Sequence, residues 1–237
     1  IIVMLLGLPK GVKITKEDLR PSKEYIKDIM NICVPSTSSK IVGSISHFLE
    51  PIVLINVLSY VGYSNNYIVT EYGIVNGYSL ALLLIPQFFT MSISTSLIPE
   101  LSKSYSIGDI KNCKKRLFQI TGLSLMIGAF STGIIFAVPE YFLNLIYNTN
   151  LGANYIRVLA PFFLLYFINT PLASAMQALD MSKDEMQITL LTSFVKLFLL
   201  TLLAFLKIGM YSLIISTIIT LIYSTYLHIK KVKKKLS

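Results

Sequence analysis

Residues 31–58 read NICVPSTSSKIVGSISHFLEPIVLINVL. The run is apolar and long enough to cross a bilayer, for which ~20 residues suffice. Three ionisable side chains, Lys40, His47 and Glu50, nevertheless stand in its middle. At about 100° per residue, Ser36, Lys40, Gly43, Ser44, His47 and Glu50 fall within about one third of a helix circumference. Val34, Ile41, Ile45, Leu49 and Ile52 lie opposite. A charged side chain at the bilayer centre costs at least ~2.5–3.5 kcal/mol, so this stripe is expected to line a wet cavity or to pair internally. Pro35 and Pro51 interrupt the backbone ladder near the two ends, which a membrane helix tolerates beside a cavity or a neighbour. The stretch therefore predicts an all-α, polytopic membrane fold in which this helix borders a translocation path.

Composition agrees. Of 237 residues, 54% are hydrophobic and 14% charged, where a soluble domain carries about a quarter charged. The mean hydropathy is +0.66. Six apolar runs are predicted to span: 31–58, 74–99, 117–138, 155–179, 187–206 and 209–228. Residues 1–9, IIVMLLGLP, read as the trailing end of an apolar helix that starts upstream. Residues 10–30 form a basic linker whose later part is expected to be an amphipathic surface helix. Residues 230–237 make a basic tail. Cys33 and Cys113 lie far apart without metal-ligand spacing and are expected to be free thiols.

The connections sort by charge. The linker, the loop 100–116, the loop 180–186 and the tail hold seventeen Lys and Arg between them, whereas the intervening loops hold only Lys207. The positive-inside rule then places both termini of the chain in the cytoplasm. Tyrosines stand in for the missing tryptophan at the opposite ends of the spans, as Tyr60, Tyr63, Tyr67, Tyr72, Tyr141, Tyr147, Tyr155 and Tyr211. A formal charge of +9 explained by a membrane leaflet gives no reason to expect nucleic acid as a partner; the lipid bilayer is the partner it implies.

Two stretches carry a family resemblance. The first is YGIVNGYSLALLLIPQFFTMSISTSLIPELSKSYSIGD, residues 72–109, with Tyr72-Gly73, Gly77, Ile85-Pro86, the small residues at 92–96, the run Leu97 to Ser102 and Gly108-Asp109. The second is VLAPFFLLYFINTPLASAMQALDM, residues 158–181, with Ala160-Pro161, Pro171 and Gln177-Ala178-Leu179. Together they resemble the multidrug/oligosaccharidyl-lipid/polysaccharide (MOP) exporter superfamily, in its stage V sporulation protein B-like branch, which is similar to the lipid II flippase. The resemblance implies a six-helix transmembrane bundle corresponding to one lobe, the C-terminal one, of a MATE/MOP-type transporter. It further implies a missing N-terminal six-helix bundle of the same protein, and alternating access about a central cavity. The implied substrate is an undecaprenyl-type lipid-linked sugar, exported for spore cortex or cell-wall peptidoglycan synthesis at the bacterial cytoplasmic membrane. A MATE-type drug or cation antiporter half is the alternative within the superfamily.

Given that substrate class, Lys40 is the candidate to meet a pyrophosphate as a point charge, with His47 able to switch. Glu50 can pair with either, or bind a coupling H+ or Na+. Lys196 shares a face of the fifth span with Thr189, Thr192 and Ser193. Gln177, with Ser174, Thr170 and Asn169, makes a polar face on the fourth, a pattern that serves interhelical hydrogen bonding or a cavity wall. Asn76 and Tyr78 complete the cavity candidates. Pro86, Pro99, Pro161 and Pro171 join Pro35 and Pro51 as candidate helix kinks. Gly73, Gly77, Gly122, Gly128 and Gly133 are expected to be helix-packing positions. No catalytic group, metal site or cofactor is expected. A membrane enzyme would need carboxylates or metal ligands gathered at one membrane face, which the short acidic loops do not offer.

Overall fold

In a computed structural model, residues 23–236 are described, and every regular element they form is helical. The expected helix remnant over 1–9 and the linker residues 10–22 lie outside the described residues. The first helix, α1 (Lys23–Tyr60), runs 38 residues, about 57 Å at 1.5 Å per residue. The surface helix expected before residue 31 is therefore continuous with the span. No glycine or proline separates them, and Pro35 and Pro51 are both accommodated inside the helix.

The second span starts earlier than residue 74 and is broken. Ser64 caps α2 (Asn65–Gly73) by accepting the Tyr67 backbone N–H at 3.3 Å. A π-helical segment (Ile74–Leu80) and the short α3 (Ala81–Leu84) follow, and then α4 (Gln87–Ser106), bent by 52° from the helices before it. The bend falls at Pro86. Proline cannot donate to the ladder, and tighter i→i−3 bonds take over around it, from Phe88 to Ile85 at 3.4 Å and Phe89 to Pro86 at 3.2 Å. Pro35, Pro51, Pro99, Pro161 and Pro171 all sit within unbroken helices.

Asp109 caps α5 (Ile110–Ala137) through the Asn112 N–H, which puts the basic cluster of the 100–116 loop on the first turns of that helix. The short α6 (Pro139–Tyr147) opens on a proline and ends at Asn148 in the left-handed region. Then come α7 (Ala153–Ala178), α8 (Ser182–Phe205) and α9 (Tyr211–Leu236). Five of these helices are long and apolar enough to cross a membrane, or six when the bent pair counts as one span. The tail expected at 230–237 is, through Leu236, the end of α9. Leu221, Thr225, His228, Val232 and Leu236 are all buried, so the helix keeps one packed face to its last turn while its lysines point away.

Helix α7 is the hub, packing on α4, α5 and α9, while α1 packs along α8 and α8 along α9. Two apolar cores result. One, at the tyrosine-rich end, gathers Leu54, Leu58, Leu83, Ile156, Phe163, Leu200 and Leu213. The other, at the lysine-rich end, gathers Leu97, Leu101, Met176, Leu179, Ile188 and Val232. Between them lies a layer of buried hydroxyls, including Thr90, Ser94, Thr192, Ser216 and Thr225. Each of these five donates to a carbonyl one turn back in its own helix, at 2.6–3.0 Å, and so needs no water to be satisfied.

Two glycines are required sterically. Gly128 on α5 faces the Phe167 side chain of α7 so closely that a Cβ would overlap the ring. Gly152, at φ +96°, leaves room for Ser79, whose hydroxyl donates to the Gly152 carbonyl at 3.1 Å and ties the π-helical segment to the start of α7. The packing role expected of Gly73, Gly77, Gly122 and Gly133 is not seen, since a Cβ on any of them meets nothing within 4 Å. Several tyrosines cap the bundle by binding one another instead of forming a simple belt. Tyr63 stacks on Tyr67 with centroids 5.4 Å apart, Tyr155 meets Tyr211 at 5.6 Å, and the Tyr155 hydroxyl donates to Glu71. Cys33 is exposed and Cys113 buried, and both are free.

Candidate functional site

A groove of about 550 Å³ opens between the two apolar cores, lined by α1, α4, α7, α8 and α9. Its walls differ in chemistry. On α1 and α8 it meets Lys40, His47, Glu185 and Lys196; on α4 and α7 it meets Gln87, Tyr166, Asn169, Thr170, Ser174 and Gln177. Thr217, Thr220, Ser224 and His228 of α9 form the floor.

The arrangement follows from helix rotation. The buried positions of α1 are Pro35, Ser39, Ser46, Glu50, Leu54 and Leu58, spaced four or seven apart, and this face lies against α8. The polar stripe read from the sequence is offset from that face. Its Lys40, Gly43 and His47 border the groove, Glu50 belongs to the packed face, and Ser44 is exposed away from both. The opposite side, with Val34, Ile41, Ile45 and Ile52, is apolar and exposed.

Glu50 is 5% exposed and accepts from the Lys196 ammonium at 2.5 Å. Helices α1 and α8 run parallel, which also brings Ser39 to donate to Thr189 at 2.8 Å nearer the lysine-rich end. Together the two charges are neutral; the Glu50 carboxylate, the more deeply buried, is the one that cannot stand alone, and stranding a buried charge of this kind costs ~3–5 kcal/mol. His47 Nδ1 lies 3.9 Å from the same Glu50 oxygen while its ring is 79% exposed. The Thr189 hydroxyl donates in turn to the Glu185 backbone carbonyl at 3.1 Å and lies 3.5 Å from the Glu185 carboxylate.

On the floor, His228 Nδ1 lies 2.8 Å from the Ser224 carbonyl. That bond occupies Nδ1 as the donor and leaves Nε2 as an acceptor. Asn169 Oδ1 and Thr217 Oγ1 are buried and have no hydrogen-bond partner among the described residues. Both residues line the groove, so they hold unspent hydrogen-bonding capacity beside it.

The structure thus brings Lys40, His47, Lys196 and Gln177 to one groove, whereas Glu50, expected to line it, is buried behind Lys196 on the packed face of α1. It places Asn76 and Tyr78 elsewhere, at the tyrosine-rich end. Asn76 donates to the Tyr72 hydroxyl at 3.1 Å, and Tyr78 packs on Tyr147 with centroids 5.0 Å apart. Gln87, Tyr166, Glu185 and the α9 floor were not anticipated. A signal existed for two of these. Glu185, Thr189, Thr192 and Lys196 recur at helical spacing, as do Thr217, Leu221, Ser224 and His228. Among the described residues no group of three or more His, Cys, Asp or Glu is placed to hold a metal ion.

With this geometry in view, similarity to known proteins is informative. The MatE family matches residues 44–203. Stage V sporulation protein B of Bacillus subtilis (strain 168) is 31% identical over 231 residues, covering 96% of this chain and 45% of that protein. A crystal structure of a MATE in the straight conformation superposes with a TM-score of 0.82 at 15% identity, over 99% of this chain and 52% of that one. An outward-facing multidrug resistance MATE family transporter of the MOP superfamily gives 0.79 at 16% identity, over 95% of this chain and 49% of that one. The chain therefore spans about half the length of the relatives it matches. An all-helical bundle with five or six membrane-crossing helices, a polar groove between two apolar cores and a match over most of its length together place the chain in the MatE family of MOP-superfamily membrane transporters.

Proposed function

We propose that the chain forms one lobe of a flippase-like transporter. It moves a lipid-linked oligosaccharide, or a peptidoglycan or polysaccharide precursor, across the cytoplasmic membrane by alternating access. The observation that carries this reading is the two-sided groove. Lys40 and Lys196 offer ammonium groups to an anionic headgroup from one wall, and amides and hydroxyls of the other wall suit a polyhydroxylated sugar. The groove opens between helices long enough to cross the membrane, so an isoprenoid tail can stay in lipid while the headgroup travels.

Similarity to a protein named for sporulation supports a place in spore cortex or cell-wall synthesis. The charge asymmetry of the connections supports cytoplasmic termini. Because the chain spans about half of its relatives, a second six-helix bundle upstream in the same protein completes the cavity in this reading. A proton or sodium gradient drives the cycle.

The alternative, a drug or cation antiporter half, draws on the fold shared with multidrug MATE transporters. It is less well served by this groove, because the Glu50 carboxylate is covered by Lys196. The deciding experiment reconstitutes the full-length protein in phospholipid vesicles with a fluorescent undecaprenyl-linked sugar. Protein-dependent loss of headgroup fluorescence to an external quencher, under an imposed H+ or Na+ gradient, is the expected result. Ethidium movement without any change in lipid-linked sugar would overturn the reading in favour of antiport.

A further inference from the structure

The Glu50–Lys196 pair is more than a neutralised defect in a membrane helix. An ammonium carries three donors. Among the described residues Lys196 Nζ spends one, on Glu50. Lys196 also lines the groove, whereas Glu50 does not and is the more deeply buried of the two, 5% against 15% exposed. The ammonium therefore stands between its counter-ion and the open groove with donors to spare.

We infer that Lys196 is a binding group for the anionic oxygens of a phosphate-class headgroup, held in reserve by Glu50, with which an arriving anion competes. The inference rests on reading the groove as the path of a lipid-linked phosphosugar, and it assigns the anion subsite within that path.

The physics favours exchange over addition. The intact pair is neutral, so an anion simply added beside it would place net negative charge in a poorly hydrated site. Drawing Lys196 toward the anion releases the Glu50 carboxylate without changing that local sum, so balance requires a second cation at Glu50. A second partner for it is at hand, because His47 lies 3.9 Å from the oxygen that Lys196 holds and in its cationic form can take the place of the ammonium. Lys40, on the same wall and exposed, has no carboxylate within salt-bridge distance among the described residues. It can recruit the anion first, and Lys196 receives it deeper in the groove. In the resting protein Glu50 thus does two things: it makes a lysine acceptable at mid-membrane, and it sets a threshold that only a strongly anionic ligand passes.

The test is calorimetric titration of the purified full-length protein in dodecyl maltoside, with farnesyl pyrophosphate as the lipid-borne probe and inorganic pyrophosphate as the free one. Glu50→Gln removes the competitor and leaves Lys196, which borders the groove and is 15% exposed, within reach of water; with folding verified by its thermal midpoint, it should tighten binding at least ~tenfold, the size of one charge-assisted hydrogen bond. Lys196→Gln alone leaves a buried carboxylate and can unfold the protein, so the informative loss variant is the neutral pair Glu50→Gln with Lys196→Gln. It should fold and bind at least ~tenfold more weakly than the parent. Lys196→Arg should keep binding. This pattern with farnesyl pyrophosphate alone supports both the site and a lipid-linked substrate. The same pattern with inorganic pyrophosphate as well supports the site while pointing to a free anion, against the lipid-linked reading. Equal binding by parent, Glu50→Gln and the double variant overturns the inference, and so does weaker binding by Glu50→Gln, even if the vesicle assay shows sugar-lipid movement.

Discussion

The two walls of the groove solve the same problem by different means. The α1–α8 wall brings full charges into the membrane and cancels the most deeply buried of them as a pair, Glu50 with Lys196. The α4–α7 wall carries no Lys, Arg, Asp or Glu at the groove and relies on amides and hydroxyls. Many hydroxyls in the buried layer satisfy themselves on their own helix, as Thr90 and Ser94 do. The charged wall is consequently brittle, since one substitution strands an ion. The neutral wall is tolerant, because interhelical hydrogen bonds in membranes average only ~0.6 kcal/mol. Stability is concentrated where the charges are, and polar capacity left over for a ligand is spread along both.

The largest expected effect tests the brittle side. Lys196→Met leaves Glu50 buried without its partner and should lower unfolding stability by ~3–5 kcal/mol, read as a drop in thermal midpoint in detergent. Adding Glu50→Gln should restore most of it. If Lys196→Met unfolds at the parental temperature, the pair does not hold α1 to α8. Next comes the steric seam behind the neutral wall. Gly128→Ala drives a methyl into Phe167 and should cost ~1–3 kcal/mol by the same measurement, with Phe167→Leu giving partial relief. An unchanged midpoint would mean that α5 and α7 can part without penalty.

A smaller effect of opposite sign is expected from Thr217→Val. Its hydroxyl is buried without a partner among the described residues, so its removal should leave stability unchanged or raise it by up to ~1 kcal/mol. Loss of transport in a stable Thr217→Val protein would mark the floor as ligand-contacting; loss of stability would show that the hydroxyl already has a structural partner. The smallest effect is a control for the charged wall. Arg157 and Glu140 form an ion pair at 2.7 Å with both side chains nearly half exposed. Glu140→Gln should cost no more than ~0–1 kcal/mol, because exposed pairs gain little over hydration. A cost matching that of Lys196→Met would remove burial as the explanation of the contrast.

Much of this was legible in residue order. Hydropathy located the spans, because burying a helix in lipid demands a long apolar run whatever its neighbours are. The alternation of lysine-rich and lysine-free connections was visible for the same reason. Three kinds of feature were not. Helix starts at Lys23, Asn65 and Ile110 precede the apolar runs, since capping and continuity extend helices beyond the hydrocarbon. Asn76 and Tyr78 are polar at a plausible depth but sit on the π-helical segment among tyrosines, and a change in helical pitch rotates every later side chain away from its expected face. His228 stood at the end of a span and read as a boundary, although its spacing from Leu221 and Thr225 already put it on the packed face of α9.

Residue order by itself determined that this chain is a membrane bundle, where its helices cross, which ends carry lysine, and that Lys40, His47, Glu50 and Lys196 must escape lipid. Those outcomes depend on the free energy of transferring each segment between water and hydrocarbon, a property of composition and spacing alone. Only the tertiary structure decided how they escape it. Glu50 meets Lys196 across 146 positions because α1 and α8 pack in parallel with one particular rotation. A turn of α1 by about one residue, ~100°, would have aimed the same carboxylate elsewhere. Pairing depends on relative rotation and register, which side-chain packing sets and which no single helix encodes.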